Sequence, residues 1–437
     1  MKKLLFILFA ATVFFRAPAQ ELLKVEEAVA AALVNNYDIQ LLRNDSAVYA
    51  LNNSYARAAF LPRLNATTGI LFNQNNQRQK LADGSKRQAN NVRSNNLNAS
   101  VNLNWLVFDG FKMFATRDKL AEFVKLGELN IKNRVTITVS DVVKTYYSIV
   151  KEKQQLKAIE EQMSINEERQ NQAEKKLSVG LGAKPELLQA KLDLNAQKAN
   201  RLKQITLIET IKEQLNQLLN FAEGTMYEVA DSIPIDKNLI AGDLLANAES
   251  NNTELLLNRQ NINIAQLTLK ERKAERFPTL SLISAYNFNR TNNKTVINAF
   301  TPLLNQNFGF NYGATVSIPI FNNYNVKRQI QEAQLDIAYQ QLLFDYKRSA
   351  IRSAVTNAFK NYNLQLRTLE LEEDNIKLAK ENVYIALERN RLGLSTILEL
   401  RESQKSLEDA YNRLIAARYA AKLAETELKR LRGDLVM

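Results

Sequence analysis

Glu399 and Glu402 stand three residues apart in the segment STILELRESQ, so on a helix their carboxylates share one face. Such a pair can concentrate negative charge and draw in cations. A plainer role is also open, because Thr396 with Glu399 fits a capping box and acids in a first turn gain from the helix dipole. Glu186, in AKPELLQAK, stands 213 positions before Glu399 in a similar setting. Little other chemistry is available. The chain has no His and no Cys, which removes imidazole acid–base catalysis, thiolate nucleophiles, most zinc and copper sites and every disulfide. It shows no phosphate-binding glycine loop and no nucleophile elbow. Carboxylates and Lys remain, but they form no convergent polar site in the sequence, so the chain is expected to be no enzyme and to need no cofactor.

The elements that carry these acids are repeated. Only 12 of 437 residues are Gly, yet SVGLGAKPELLQAK at 178–191 returns as RLGLSTILELRESQ at 391–404, with Gly180 and Gly393 separated by 213. VFDGFK at 107–112 returns as IFNNYN at 320–325 at the same offset. AAFLPRLNATTGILFN at 58–73 resembles AERFPTLSLISAYNFN at 274–289 at an offset of 216. A three-residue difference is easiest to place in loops. We read a tandem duplication with a first repeat over 20–223, a linker over 224–242 and a second repeat over 243–433.

Each half opens with a helical segment, 25–60 or 243–277, which Pro62 or Pro278 ends. Alternation with period two follows. Phe308, Phe310, Tyr312, Val316, Ile318 and Ile320 fall on one side, and Asn311, Thr315 and Ser317 on the other. Val101, Leu103, Trp105 and Val107 repeat this against Asn102 and Asn104, while Leu64 to Phe72 and Leu280 to Phe288 begin the partner strands. Each half thus predicts a hairpin, with polar loops at 74–96 and 290–306, giving four strands per chain.

The rest predicts long helices. No Gly or Pro occurs between Pro319 and Gly393, where Leu364, Leu371, Leu378, Ile385 and Leu392 recur every seven residues beside a second seam of Leu369, Ile376 and Val383. Leu400, Leu407, Leu414, Ala421 and Leu428 then alternate with Ser403, Ala410, Ala417, Ala424 and Leu431 as in a coiled coil. Gly180 and Gly393 fall where each long helix must reverse, with Pro185 as a first helical residue beyond. The two quoted stretches are therefore the tips of two antiparallel helical hairpins.

The amino terminus, MKKLLFILFAATVFFRAPAQ, has the basic start, apolar run and small-x-small end of an export signal over 1–19, cut before Gln20. No later run of 18 apolar residues occurs, so a membrane form would have to be a β-barrel. The formal charge of +12 is interleaved with acids along the helices, which is how solvated faces look, and no nucleic-acid partner is expected. Four strands alone leave two open edges that hydrocarbon cannot tolerate. Two copies would close eight strands, which side chains fill; three would close twelve, wide enough for a conduit.

Taken together, the duplicated order, KVEEAVAAALVNNYDIQLLR at 24–43 and the paired tips resemble the TolC family of outer-membrane efflux proteins across almost the whole chain. The resemblance implies an α+β fold. Tandem-duplicated helical coiled hairpins carry four strands per chain and form a trimeric 12-stranded barrel, continued by a periplasmic helical tunnel. It implies a passive homotrimeric conduit in the outer membrane of a Gram-negative bacterium, within a tripartite efflux or type I secretion system. Its partners would be a periplasmic adaptor, an inner-membrane transporter and outer-membrane lipid. On that resemblance Glu399 and Glu402, with Glu186, fall where acidic rings narrow the tunnel. Val179, Gly180, Leu181, Leu392, Gly393 and Leu394 fall where the adaptor docks, and Trp105, Phe308, Phe310 and Tyr312 would face lipid. The alternative reading is a soluble periplasmic coiled-coil adaptor or interaction protein, which would usually carry one hairpin within unduplicated β domains.

Overall fold

A computed structural model describes residues 22–237, 239, 244–298 and 300–435. The expected export signal and its cleavage point, and residues 238 and 240–243 of the expected linker, lie outside the described residues. Two compact units form, one from residues 45–128 and 257–345, the other from the described residues up to 44, 129–256 and from 346 onward. Each unit draws on both halves of the duplication.

The first unit holds one antiparallel sheet in the order β2-β3-β5-β6, built from Arg63–Lys80, Lys86–Phe108, Thr279–Asn293 and Leu304–Ser317. Its register separates two chemistries. Leu64, Leu103 and Ser284 lie across from one another beside Tyr312, and Ala66, Val101 and Tyr286 beside Phe310. One position along, Asn65, Asn102, Ala285 and Asn311 make a row on the other face. The sheet is thus apolar on one side and rich in Asn on the other.

Three expectations change here. The expected loop at 74–96 is mostly strand, since β2 continues to Lys80 and β3 begins at Lys86. A tight turn supports this polar ribbon: Gly84 takes φ +83° and Asp83 accepts a hydrogen bond from the Ser85 amide at 2.9 Å. Likewise β5 and β6 take the ends of the expected 290–306 loop. Ile318 and Ile320 lie beyond β6, which ends before Pro319, a residue with no amide to donate.

Four helical stretches belong to this unit. In α2 (Tyr37–Ser54), Tyr49 stacks on Phe123 of α3 (Lys112–Ser178) at 5.6 Å. Gln260 of α6 (Thr253–Ala274) donates to the Glu122 carboxylate of α3 at 2.6 Å. Arg259 of α6 sits 5.8 Å from the Phe344 ring of α7 (Asn325–Arg391). The order α2-α3-α6-α7 leaves α2 and α7 outermost, and there Val48, Leu51, Leu335 and Leu342 are exposed.

The second unit is helical. A short helix α1 (Val25–Asn35) and the parallel pair β1 (Leu22–Leu23) with β4 (Glu228–Val229) cover α3 and α4 (Lys184–Leu219), burying Val142, Tyr146, Ile149, Leu215 and Val229. The expected linker therefore contains a strand and part of this core. The remaining helices are α5 (Leu244–Asn251) and α8 (Ile397–Arg432). The hairpins match in length: α3 and α7 have 67 residues each, α4 and α8 have 36.

The expected opening helix of each half is broken, and by the same device. Asn36 caps α2 by accepting from the Asp38 and Ile39 amides at 3.1 and 3.4 Å, while its amide nitrogen donates to the Leu218 carbonyl at 2.9 Å. Asn252 caps α6 through Glu254 and Leu255 at 3.0 and 3.3 Å and donates to the Leu431 carbonyl at 3.0 Å.

Only one of the two α7 seams is used inside the chain. Leu369, Ile376 and Val383 are buried against Leu407, Ala410 and Leu414 of α8, whereas Leu364, Leu371, Leu378 and Leu392 stay exposed. At the α8 position expected for Ser403, the buried residue is its neighbour Gln404.

Candidate functional site

Both tips end in the same backbone motif. After α3, the Gly180 amide donates to the Leu177 carbonyl at 3.1 Å and the Leu181 amide to Lys176 at 2.8 Å. After α7, Gly393 donates to Asn390 at 3.1 Å and Leu394 to Arg389 at 2.8 Å. These are Schellman closures, with left-handed Gly at φ +77° and +71°. Such closures commonly fold an apolar side chain back onto the helix. Here Lys176 and Arg389 occupy the receiving positions, and Leu181 and Leu394 remain 84% and 66% exposed. The chain reversal does not use them. Val179 and Leu392 are exposed alongside.

The acids begin the returning helices. Thr396 caps α8, its hydroxyl accepting from the Glu399 amide at 3.2 Å, so the capping role of this segment is real. The cap engages the backbone of Glu399 and leaves its carboxylate free for other work. Glu399 and Glu402 are exposed, and Glu186, in the first turn of α4, is partly buried. Pro185 is the second residue of α4, not the first. The cations beside Glu402 look elsewhere: Arg401 lies 3.7 Å from Asp193 and Lys405 3.7 Å from Asp409.

The sequence reading missed a polar seam between the two hairpins. Arg169 of α3, 5% exposed, pairs with Asp193 of α4 at 2.7 Å and donates to Gln404 of α8 at 3.2 Å. Arg391 reaches Glu168, Tyr411 reaches Glu161, and Gln155 donates to Asn412 at 2.6 Å. Burial pushes the Asp193 carboxyl up, but hydrogen bonds from Arg169 and Gln189 and the charges of Arg169 and Arg401 outweigh it and hold it below its ordinary value. Burial and the Glu161 carboxylate raise the Tyr411 hydroxyl. Several buried donors in the seam, Gln162 Nε2, Arg169 Nε and Gln404 Nε2, have no partner. The Arg169–Asp193 pair lies within the first hairpin, α3 with α4; across to α8 run the Arg169–Gln404 hydrogen bond and the 3.7 Å approach of Arg401 to Asp193, beside the apolar packing of Ile165 on the α7–α8 core.

Trp105, Phe308, Phe310 and Tyr312 share the apolar face of the sheet, and the Trp105 indole donates to the Phe60 carbonyl at 2.8 Å. No described helix is long and apolar enough to cross a membrane.

The sequence pattern of the outer membrane efflux protein family matches residues 28–220 and 244–434, one stretch in each half. The chain belongs to that family. Outer membrane protein TolC of Escherichia coli (strain K12) is 21% identical over 444 residues, covering 100% of this chain and 87% of the relative. Outer membrane efflux protein BepC of Brucella suis biovar 1 (strain 1330) is 21% identical over 421 residues, covering 93% and 85%. Among solved structures, CusC superposes with a TM-score of 0.77 at 16% identity over 94% of this chain and 92% of that one. The outer membrane protein VceC of Vibrio cholerae gives 0.74 at 13% identity over 94% and 96%. This outer membrane efflux protein thus has the α+β fold of its relatives, sits in the outer membrane and extends into the periplasm. It acts as the outer-membrane channel of an efflux system, and the reading as a soluble adaptor falls away.

Proposed function

We propose that three copies of this chain close into a 12-stranded barrel and a helical tube that passes cargo outward without catalysis. The supporting observation is where the chain is left unfinished. In the sheet, β2 and β6 each have one bare edge. Among the long helices, exposed large apolar side chains gather on α2, α4 and α7: Leu41 and Leu51, Leu188 and Leu192, Leu371 and Leu378. Beyond their end positions, α3 and α8 show none, and α6 shows none at all. Two different unfinished surfaces at opposite ends of one repeat suit a head-to-tail ring.

With the ring closed, the Asn-rich face lines the conduit and the face of Trp105, Phe308, Phe310 and Tyr312 meets lipid. Each half of the duplication, 20–223 and 243–433, supplies one hairpin of strands and one of helices, joined through 224–242. Glu399 and Glu402, with Glu186, set a negative field at the periplasmic mouth. The polar seam between hairpins is the joint that gives when the mouth widens. Six exposed leucines, from Leu181 and Leu394 of three copies, with Val179, Gly180, Leu392 and Gly393 around them, form the surface for a periplasmic adaptor, through which an inner-membrane transporter supplies energy.

The test uses the two faces of one strand. Tyr312→Asp should impair insertion and lower the amount in the outer-membrane fraction, because a carboxylate on the lipid face is destabilising, though by less than the ~2–4 kcal/mol of an Arg or Lys at midplane. Asn311→Asp should insert normally. Equal insertion of both variants would refute the assignment of faces.

A further inference from the structure

The outer end of the sheet carries a charge pattern that conduction does not require. Residues 63–108 and 279–317 contain eight Lys and Arg but a single acid, Asp83, in a chain that otherwise balances its charges closely. Seven of those cations lie at the hairpin end, away from the ends of β3 and β6 that run on toward α3 and α7. Four of them, Arg78, Lys80, Lys86 and Arg87, sit on the β2–β3 ribbon, which extends beyond the last β3–β5 pair, Ser94 with Asn293. Asp83 is engaged in its own turn.

The register says which way the others point. Arg290 pairs across strands with Leu97 and Gln306 and follows Phe288 by two positions, so it stands on the apolar face. Arg93 pairs with Gln74, two positions beyond Asn95 opposite Phe72, and stands on the same face. The Lys294 amide donates to the Arg93 carbonyl at 2.8 Å, which brings a third cation to this border. Arg93 and Arg290 are exposed, and the side-chain hydrogen bond of Arg93 goes to the neutral Asn91 at 3.2 Å.

The spacing then fits a bilayer. On β5 the apolar face runs from Leu280 to Phe288, about 27 Å along the strand at ~3.4 Å per residue. With the tilt of a closed barrel this spans about 20 Å of membrane depth, near the usual apolar band of ~25 Å. Arg290 and Arg93 therefore meet the lipid where hydrocarbon gives way to headgroups, just above Phe288 and Phe308. On the Asn-lined face the same cations would act on cargo; on the apolar face they meet the phosphorylated glycolipid of the outer leaflet.

We propose that Arg93, Arg290 and Lys294, backed by the basic β2–β3 ribbon, form a rim that binds the phosphate groups of outer-leaflet glycolipid. The proposal rests on the barrel reading above. Its test takes the membrane-extracted protein, wild type and the triple variant Arg93→Gln, Arg290→Gln, Lys294→Gln, in nanodiscs of phosphatidylcholine doped with lipid A bearing two phosphates. Bound lipid A is counted by native mass spectrometry. The wild type should retain lipid A, and the triple variant should bind it about a hundredfold more weakly, from roughly a fivefold effect per cation at a charged surface. Lipid A stripped of phosphate should bind both proteins equally poorly. Equal retention of phosphorylated lipid A by the two proteins would overturn the proposal. So would displacement of lipid A by millimolar inorganic phosphate, which would make this a free-anion site. A shift in the anion selectivity of conductance with lipid binding intact would place the cations on the conduit face and overturn it as well. Failure of the barrel reading itself looks different: neither protein would be recovered from the outer-membrane fraction.

Discussion

Asn252 holds two elements together with one side chain, and its loss can be worked through bond by bond. Its oxygen caps α6 by accepting from the Glu254 and Leu255 amides, and its nitrogen donates to the Leu431 carbonyl near the end of α8. The residue is 6% exposed, so water does not readily replace either set of bonds. Removing an Asn cap costs about 1–2 kcal/mol. Leaving a buried carbonyl unpaired costs about 1–3 kcal/mol more. Asn252→Ala should therefore lose roughly 2–5 kcal/mol of local stability. Asn252→Ser keeps a capping hydroxyl and loses the bond to Leu431 without burying a charge, so it should lose about 1–3 kcal/mol. Native-state hydrogen exchange in the first turns of α6 reads these values directly. Exchange there should quicken between about thirtyfold and about five-thousandfold for Ala and by a smaller factor for Ser. Asn36, with the same bonds to Asp38, Ile39 and Leu218, should behave alike at the start of α2. A Ser variant indistinguishable from wild type would refute the reasoning, since the carbonyl bond would then contribute nothing.

Replacing both Leu181 and Leu394 with Ser should leave assembly and single-channel conductance intact while abolishing export in cells; normal export at normal channel levels would place docking elsewhere. Glu399→Gln with Glu402→Gln should lower cation selectivity in planar bilayers severalfold, and unchanged reversal potentials would count against an acidic ring. The Arg169–Asp193 pair makes a pH prediction. Because the folded value of Asp193 is depressed, its contribution is present above the ordinary 3.8 and fades as pH falls through the still lower folded value. The local stability of the α3–α4 hairpin around Asp193, read by hydrogen exchange, should stay flat from neutral pH to pH ~5 and fall only below about 3.8, the fall being absent in Asp193→Asn, which is already less stable. A fall near pH 6 would assign the acid response to another group.

Much of the architecture could be read from the sequence because repetition and periodicity are local signals. The duplicated Gly180 and Gly393, the Pro stops and the alternation around Trp105 and Tyr312 each carry their structure within a few residues. What could not be read was set by partners far along the chain. The polar run QNNQRQKLADGSKRQANN looks like a loop, yet cross-strand pairing makes it a ribbon, since β structure depends more on pairing than on propensity. Arg169, Asp193 and Gln404 come from three helices, and nothing in a heptad says which polar residue will be buried beside which. The choice between the Leu364 and Leu369 seams of α7 was hidden for the same reason, because both have the right period and only packing decides. Asn36 and Asn252 did leave a trace: NNYDI and NNTEL stand 216 positions apart, a cap signal before each helical pattern.

The claim that carries the rest is that copies of the chain complete one another, three to a ring. Native mass spectrometry of the detergent-extracted outer-membrane protein tests it most directly. The account predicts one species of three mature chains that conducts in a planar bilayer. A conducting dimer, a ladder of open oligomers, or a monomer soluble without detergent would contradict it.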